Sequence, residues 1–163
     1  MKEEFISETI FRMNENLERV EKCISMLTEE QIWLKPNDKT NSIGTLTLHL
    51  QGNITQYIIS SIGHEPDTRI RNEEFESRID TLLMIENFKS TIKKATDTIQ
   101  QITSEELLKK RRVQGFDLSG IGIIIHVVEH LSYHVGQIST QTKLLTDKDL
   151  GYYNDINLNI TSK

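Results

Sequence analysis

Apolar residues recur every three or four positions in four long segments of this chain. The first of these stripes consists of Ile6, Ile10, Met13, Leu17, Val20, Ile24 and Leu27. This spacing places the side chains on one face of an α-helix. It predicts a helix over 2–28, and three more that begin at Asn41 or Ser42, at Asp80 and at Ser119. Each of these four polar residues is a good helix N-cap.

The chain has only two prolines, Pro36 and Pro66, and both lie between the periodic segments. Because proline breaks a helix interior, this placement favours long uninterrupted helices. No segment carries a convincing strand pattern. We therefore predict an all-α, four-helix bundle in a single domain over 1–163. The polar C-terminal tail 146–163 is expected to be loosely packed or to dock through its tyrosines.

The connections between the predicted helices are long. A linker over 63–79, if fully extended, reaches roughly 56 Å, whereas a 20-residue helix is about 30 Å long. A crossover between the second and third helices is therefore allowed. A second irregular stretch is predicted over 103–118.

The charge pattern argues against a nucleic-acid partner. The formal net charge is −5, and the basic residues are scattered along the chain. A nucleic-acid interface needs a basic face or stripe. The one basic cluster, Lys109 to Arg112, is short. We interpret it as a solvated loop, with binding of an anionic substrate as the alternative.

The sequence predicts a cytoplasmic protein without a membrane partner. Its single cysteine, Cys23, cannot form an internal disulfide and is interpreted as a packing residue. The start of the chain lacks the apolar run of a signal peptide. The longest apolar run, 121–128, contains a histidine and is too short to span a bilayer.

Three of the five histidines lie on the fourth helix at intervals of four: His126, His130 and His134. Residues four apart share a helix face, so each neighbouring pair could bind one metal ion. Positions eight apart are about 12 Å apart along the axis, so all three cannot readily share one ion. The spacing leaves both pairs open, although the isoleucines and valines around His126 favour a core role for it. His64, in a turn, is expected to be solvated.

His49 borders the inward face of the second helix, where it could meet the fourth helix in the core. A site of three imidazoles suits zinc, nickel or another late first-row divalent ion. Its fourth position would be left to water or substrate, as in catalytic sites. The alternative is a set of hydrogen-bonded core histidines that bind no metal.

Two polar residues share the faces of these histidines. Gln137 follows His134 by three positions, and Asn53 follows His49 by four. Each could orient a ligand imidazole or contact a substrate, and each could equally be a polar residue at a helix boundary. Tyr133 is expected to pack into the core.

Two helical motifs resemble the DinB-like family, also called the YfiT-like metal-dependent hydrolase superfamily. The segment 125–138, with His130-x-x-x-His134 followed by Gly136-Gln137, resembles the last helix of that family. The segment 41–53 resembles the helix that supplies its first histidine. The run Arg69-x-Arg71-x-x-Glu74-Phe75 is similar to a charged loop of the YkkA-type branch. The resemblance covers nearly the whole chain.

The resemblance implies an up-down-down-up bundle with a long crossover between helices two and three, and a homodimer. It assigns the divalent metal to His49, His130 and His134. Family members include S-transferases and isomerases that use low-molecular-weight thiols such as bacillithiol. We therefore expect a metal-dependent enzyme with a small-molecule substrate, either a thiol S-transferase or a hydrolase, with no further catalytic residue assigned. The alternative is a non-catalytic helical stress-response or binding protein with a structural or vestigial metal site.

Overall fold

The structure is a computed structural model that describes residues 1–161. Its elements, in chain order, are α1 (Lys2–Ser25), α2 (Glu29–Ile32), α3 (Ile43–Ile54), α4 (Glu73–Glu76), α5 (Thr81–Gln100), α6 (Ser104–Leu108), β1 (Lys110–Val113), β2 (Phe116–Ser119) and α7 (Gly120–Thr146). A π-helix over Thr55–Ser60 extends α3. Within the described range, no helix is both long enough and apolar enough to cross a membrane.

The helices begin where polar side chains satisfy free backbone N–H groups. Ser42, Asp80 and Ser119 each accept a hydrogen bond from the N–H group three residues further on. These caps confirm the predicted starts of three long helices. Thr28 and Gln31 form a reciprocal capping box that starts the short α2. The first helix accordingly ends at Ser25, three residues earlier than predicted.

Four long helices surround one apolar core. Helix α1 packs against α5 and α7, and α3 packs against the same two helices from the other side. Near the C-terminal ends of α1 and α7, Cys23 Sγ lies 3.9 Å from Ser139 Oγ. Near their N-terminal ends, Phe5 and Ile124 line the same groove. The two helices therefore run in the same direction. The segment after α3 folds back against that helix, since Glu74 Oε2 lies 2.9 Å from His49 Nδ1.

The stretch 103–118 contains structure that the all-α prediction missed. It holds α6 and a two-stranded antiparallel hairpin of β1 and β2. The hairpin loop, Gln114 and Gly115, has positive φ at both residues, as in a type I′ turn. The helical bundle is as predicted, but the hairpin was not predicted because β1 is Lys-Arg-Arg-Val, which lacks an apolar alternation. Arg111 is also not solvated, since its side chain is 8% exposed and pairs with Glu106.

The C-terminal tail docks against the bundle through both of its tyrosines, and the Tyr153 hydroxyl lies 2.9 Å from Arg19 Nη2 at the surface. The Tyr152 hydroxyl lies 2.8 Å from Ser139 Oγ and 3.2 Å from Cys23 Sγ. Leu150 is also buried in the core. Cys23 is fully buried, in agreement with its predicted packing role.

Candidate metal centre

Three imidazole nitrogens from two helices converge on one point in the bundle. His130 Nε2 lies 3.2 Å from His49 Nε2 and 3.2 Å from His134 Nε2. All three potential ligand atoms lie within 4.8 Å of one another. In a tetrahedral site with metal–nitrogen bonds of 2.0–2.1 Å, ligand atoms are about 3.3 Å apart. The two 3.2 Å distances from His130 Nε2 match this value, and the group as a whole could hold a single divalent ion.

The packing of α3 against α7 decides which histidines meet. His49 is buried on α3, and it faces two successive turns of α7 that carry His130 and His134. His126, one turn earlier, lies outside this group. Its ring packs 4.6 Å from the ring of Tyr57, measured between centroids. The structure thus brings together the pair 130/134, and not 126/130, with His49.

A carboxylate holds the outer nitrogen of His49. Glu74 Oε2 lies 2.9 Å from His49 Nδ1, and Arg69 pairs with the same carboxylate. Burial opposes ionisation of Glu74, but the hydrogen bonds from His49 and Arg69 outweigh it and lower its pKa. An ionised carboxylate only accepts hydrogen bonds, so Nδ1 of His49 must carry the proton. The lone pair of a neutral His49 then lies on Nε2, towards the other histidines.

Gln137 holds His134 in the same way. Its Oε1 lies 2.7 Å from His134 Nδ1, which places the lone pair of His134 on Nε2. His130 Nε2 lies between these two lone pairs, and one N–H group can donate to only one of them. His130 Nδ1 is buried and has no hydrogen-bond partner in the described part of the chain. A cation at the centre would satisfy all three Nε2 atoms at once.

The surroundings of His130 and His134 disfavour the charged form of these two imidazoles. Burial, followed by the neighbouring His134 and His49, lowers the pKa of His130 to about 3. Burial also lowers the pKa of His134. Metal ions bind the neutral form of imidazole, so His130 and His134 are in their ligand form at neutral pH.

The remaining residues considered from the sequence differ in their burial and contacts. Asn53 is buried, and its Oδ1 forms no hydrogen bond within residues 1–161. His64 is exposed, as predicted. Tyr133 was expected in the core, but it is 63% exposed because it points outward from α7. Glu74 was not predicted to contact a histidine, since no local pattern relates it to a residue 25 positions earlier.

A cavity of about 510 Å³ lies beside His134. Polar side chains dominate its wall, and they include Lys39, Asn41, Gln137 and Gln141. Gln137 therefore touches both a histidine of the cluster and the cavity. This space could admit a small polar molecule.

Residues 1–154 match the model of a family described as a protein of unknown function, DUF1572. No curated protein matches the chain. A conserved protein from Enterococcus faecalis has a similar structure, with a TM-score of 0.74 and 13% identity over 87% of this chain and 97% of its own.

Two DinB-like proteins from Bacillus species also share the fold. YjoA from Bacillus subtilis has a TM-score of 0.65 and 17% identity over 87% of this chain and 91% of its own. A protein from Bacillus cereus has a TM-score of 0.66 and 14% identity over 81% of this chain and 87% of its own. The chain therefore belongs to the DUF1572 family, and its helical bundle has the DinB-like fold.

Proposed function

We propose that this protein is a metal-dependent enzyme in which His49, His130 and His134 hold one divalent ion, zinc, nickel or a similar metal. The observation that carries the proposal is the convergence of the three histidines, with His130 Nε2 3.2 Å from Nε2 of both His49 and His134. The acceptors on the outer nitrogens of His49 and His134 support it further. Carboxylate or amide partners of this kind orient metal-binding histidines.

The composition of the ligand set supports a catalytic site. No fourth Cys, His, Asp or Glu of the described residues joins the group. Structural zinc sites have four protein ligands, whereas catalytic sites keep one position for water or substrate. The charge of Glu74 is balanced by Arg69, so the protein leaves the charge of the ion uncompensated. Such an ion lowers the pKa of a thiol or water bound to it.

The reaction that we favour is transfer to a low-molecular-weight thiol, with hydrolysis as the second candidate. The cavity beside His134 is large enough for a small molecule, and Lys39 offers a positive charge for a carboxylate. Gln137 would contribute by holding His134 in its ligand tautomer. The same open position would serve thiolate or water, so the experiment must separate the two.

Elemental analysis of protein purified without chelator or nickel resin tests the metal site. The comparison is between wild type, His130→Ala and His126→Ala, which remove the same residue type from neighbouring turns of α7. We expect about one ion per chain in wild type and His126→Ala, and its loss from a folded His130→Ala. Equal metal content in all three proteins would overturn the assignment.

Cobalt substitution tests the open position. Adding a small thiol to the cobalt protein should change its visible spectrum if the thiol reaches the ion. A spectrum that no thiol or substrate perturbs would favour the non-catalytic alternative, a helical stress-response or binding protein with a structural or vestigial site. The homodimer, the cytoplasmic location and the YkkA-type branch stay predictions, and sedimentation would test the first.

A further inference from the structure

We propose that residues 67–76, hereafter the strap, act as a positioning element for the metal centre. In this proposal Glu74, held by Arg69, orients His49, so that docking of the strap and metal binding stabilise each other. The inference rests on the proposed function, because it requires an ion at the three histidines.

The strap reaches His49 through a buried ion pair. Arg69 Nε lies 2.6 Å from Glu74 Oε1, and Arg69 Nη2 lies 2.9 Å from Glu74 Oε2. The two side chains are only 4% and 10% exposed. Glu74 Oε2 also accepts the hydrogen bond from His49 Nδ1. Both oxygens of the carboxylate are thus engaged, which fixes its orientation towards the imidazole.

Further contacts hold the strap against the helix that carries His49. Arg69 Nη1 donates to Gln56 Oε1, and Gln56 Nε2 donates to Asp67 Oδ2. The ring of Phe75 lies 5.4 Å from the ring of His49, measured between centroids. Two residues of the strap, Glu74 and Phe75, therefore contact this one histidine.

The docking of the strap depends mainly on these polar contacts. Helix α4, within the strap, has no buried residue, and Ile70 is 60% exposed. With little apolar burial, the segment should open more easily than the core helices.

Opening of the strap would also change the charge beside His49. If Glu74 moved away, the Arg69 guanidinium, 3.4 Å from His49 Nδ1, would lose its carboxylate partner. An uncompensated cation there would repel a metal ion.

Metal binding should in turn strengthen docking. An ion on Nε2 withdraws electron density from the imidazole, so the Nδ1–H group becomes a stronger donor to Glu74. The two equilibria are then coupled. By thermodynamic reciprocity, the factor by which docking tightens metal binding equals the factor by which metal favours docking.

Gly52 makes a precise test possible. A Cβ atom at Gly52 would clash with Glu74 Oε1 and lie 3.0 Å from Arg69 Nε. Alanine forms helices better than glycine does, so Gly52→Ala should displace the strap without breaking α3. Gly136 on α7 is the matched control, because a Cβ atom there would meet nothing within 4 Å.

The experiment measures zinc affinity by competition with a chromophoric chelator, and hydrogen exchange of strap amides with and without zinc. The proteins are wild type, Glu74→Ala, Gly52→Ala and Gly136→Ala, with circular dichroism as the check on folding. Loss of an outer partner typically weakens metal binding 10–100-fold. We expect that loss in Glu74→Ala and Gly52→Ala, and wild-type affinity in Gly136→Ala.

Zinc should also slow hydrogen exchange of the strap amides in wild type and Gly136→Ala, by a factor comparable to the affinity loss expected in Glu74→Ala. It should slow this exchange much less in Glu74→Ala and Gly52→Ala. A purely structural role for the strap would leave its exchange independent of zinc. Zinc binding of equal strength in all four proteins, or exchange that zinc does not change, would overturn this proposal alone. Failure of wild type to bind zinc, nickel or cobalt would overturn it together with the proposed function.

Discussion

Gln137 Oε1 lies 2.7 Å from His134 Nδ1, one turn earlier on the same helix. The pair needs no other element to form, because residues three apart share a helix face. It therefore sets the tautomer of His134 locally. His49 differs, since its outer partner comes from a separate segment.

Replacing Gln137 should weaken metal binding without unfolding the bundle. Gln137→Ala removes the acceptor at His134 Nδ1, and we expect a 10–100-fold rise in the zinc dissociation constant. Glu129→Gln is the control, because Glu129 is exposed on the same helix. Competition with a chelator measures both. Identical dissociation constants for Gln137→Ala and wild type would contradict the orienting role.

The metal-free protein should lose stability in acid because of His130. Its pKa is about 3 in the fold, below the ordinary value of 6.5, so only the unfolded state gains a proton as the pH drops below 6.5. The free energy of unfolding should then fall between about pH 6.5 and 3, by up to about 1.4 kcal/mol per pH unit from this group. Urea unfolding of metal-free wild type and His130→Gln measures this. Equal slopes in the two proteins would be the contrary result.

The Tyr152 hydroxyl should contribute to docking of the tail. It contacts Ser139 and Cys23, and Tyr152→Phe keeps the ring but removes both contacts. We expect the free energy of unfolding to fall by about 1 kcal/mol. Tyr153→Phe should have a smaller effect, since its hydroxyl contacts Arg19 at the surface. Denaturant titration compares them, and a larger loss in Tyr153→Phe would refute this prediction.

Gly44 allows close approach of the only tryptophan. A Cβ atom at Gly44 would lie 2.6 Å from the ring of Trp33. Gly44→Ala should therefore force the indole to move and cost about 1–3 kcal/mol of stability. Tryptophan fluorescence during unfolding reports both effects. An unchanged emission spectrum with unchanged stability would show that the ring adapts freely.

Local signals in the sequence predicted most of the helical framework. Ser42, Asp80 and Ser119 start their helices as caps because each satisfies a backbone N–H group three residues away. The apolar stripes predicted the buried faces of these helices. This signal is also local, since helix geometry places residues three and four apart on one face. The hairpin escaped prediction because Lys110–Val113 has no apolar alternation and takes its shape from the turn that follows it.

The histidine spacing by itself determined that α7 could offer a metal-binding pair, because four residues make about one helical turn. It could not choose between His126 and His134 as the partner of His130, since the two intervals are identical. Only the tertiary structure decided that choice, because the position of α3 along α7 determines which turns meet His49. The same holds for Glu74, whose contact with His49 depends on how a distant segment folds back over α3.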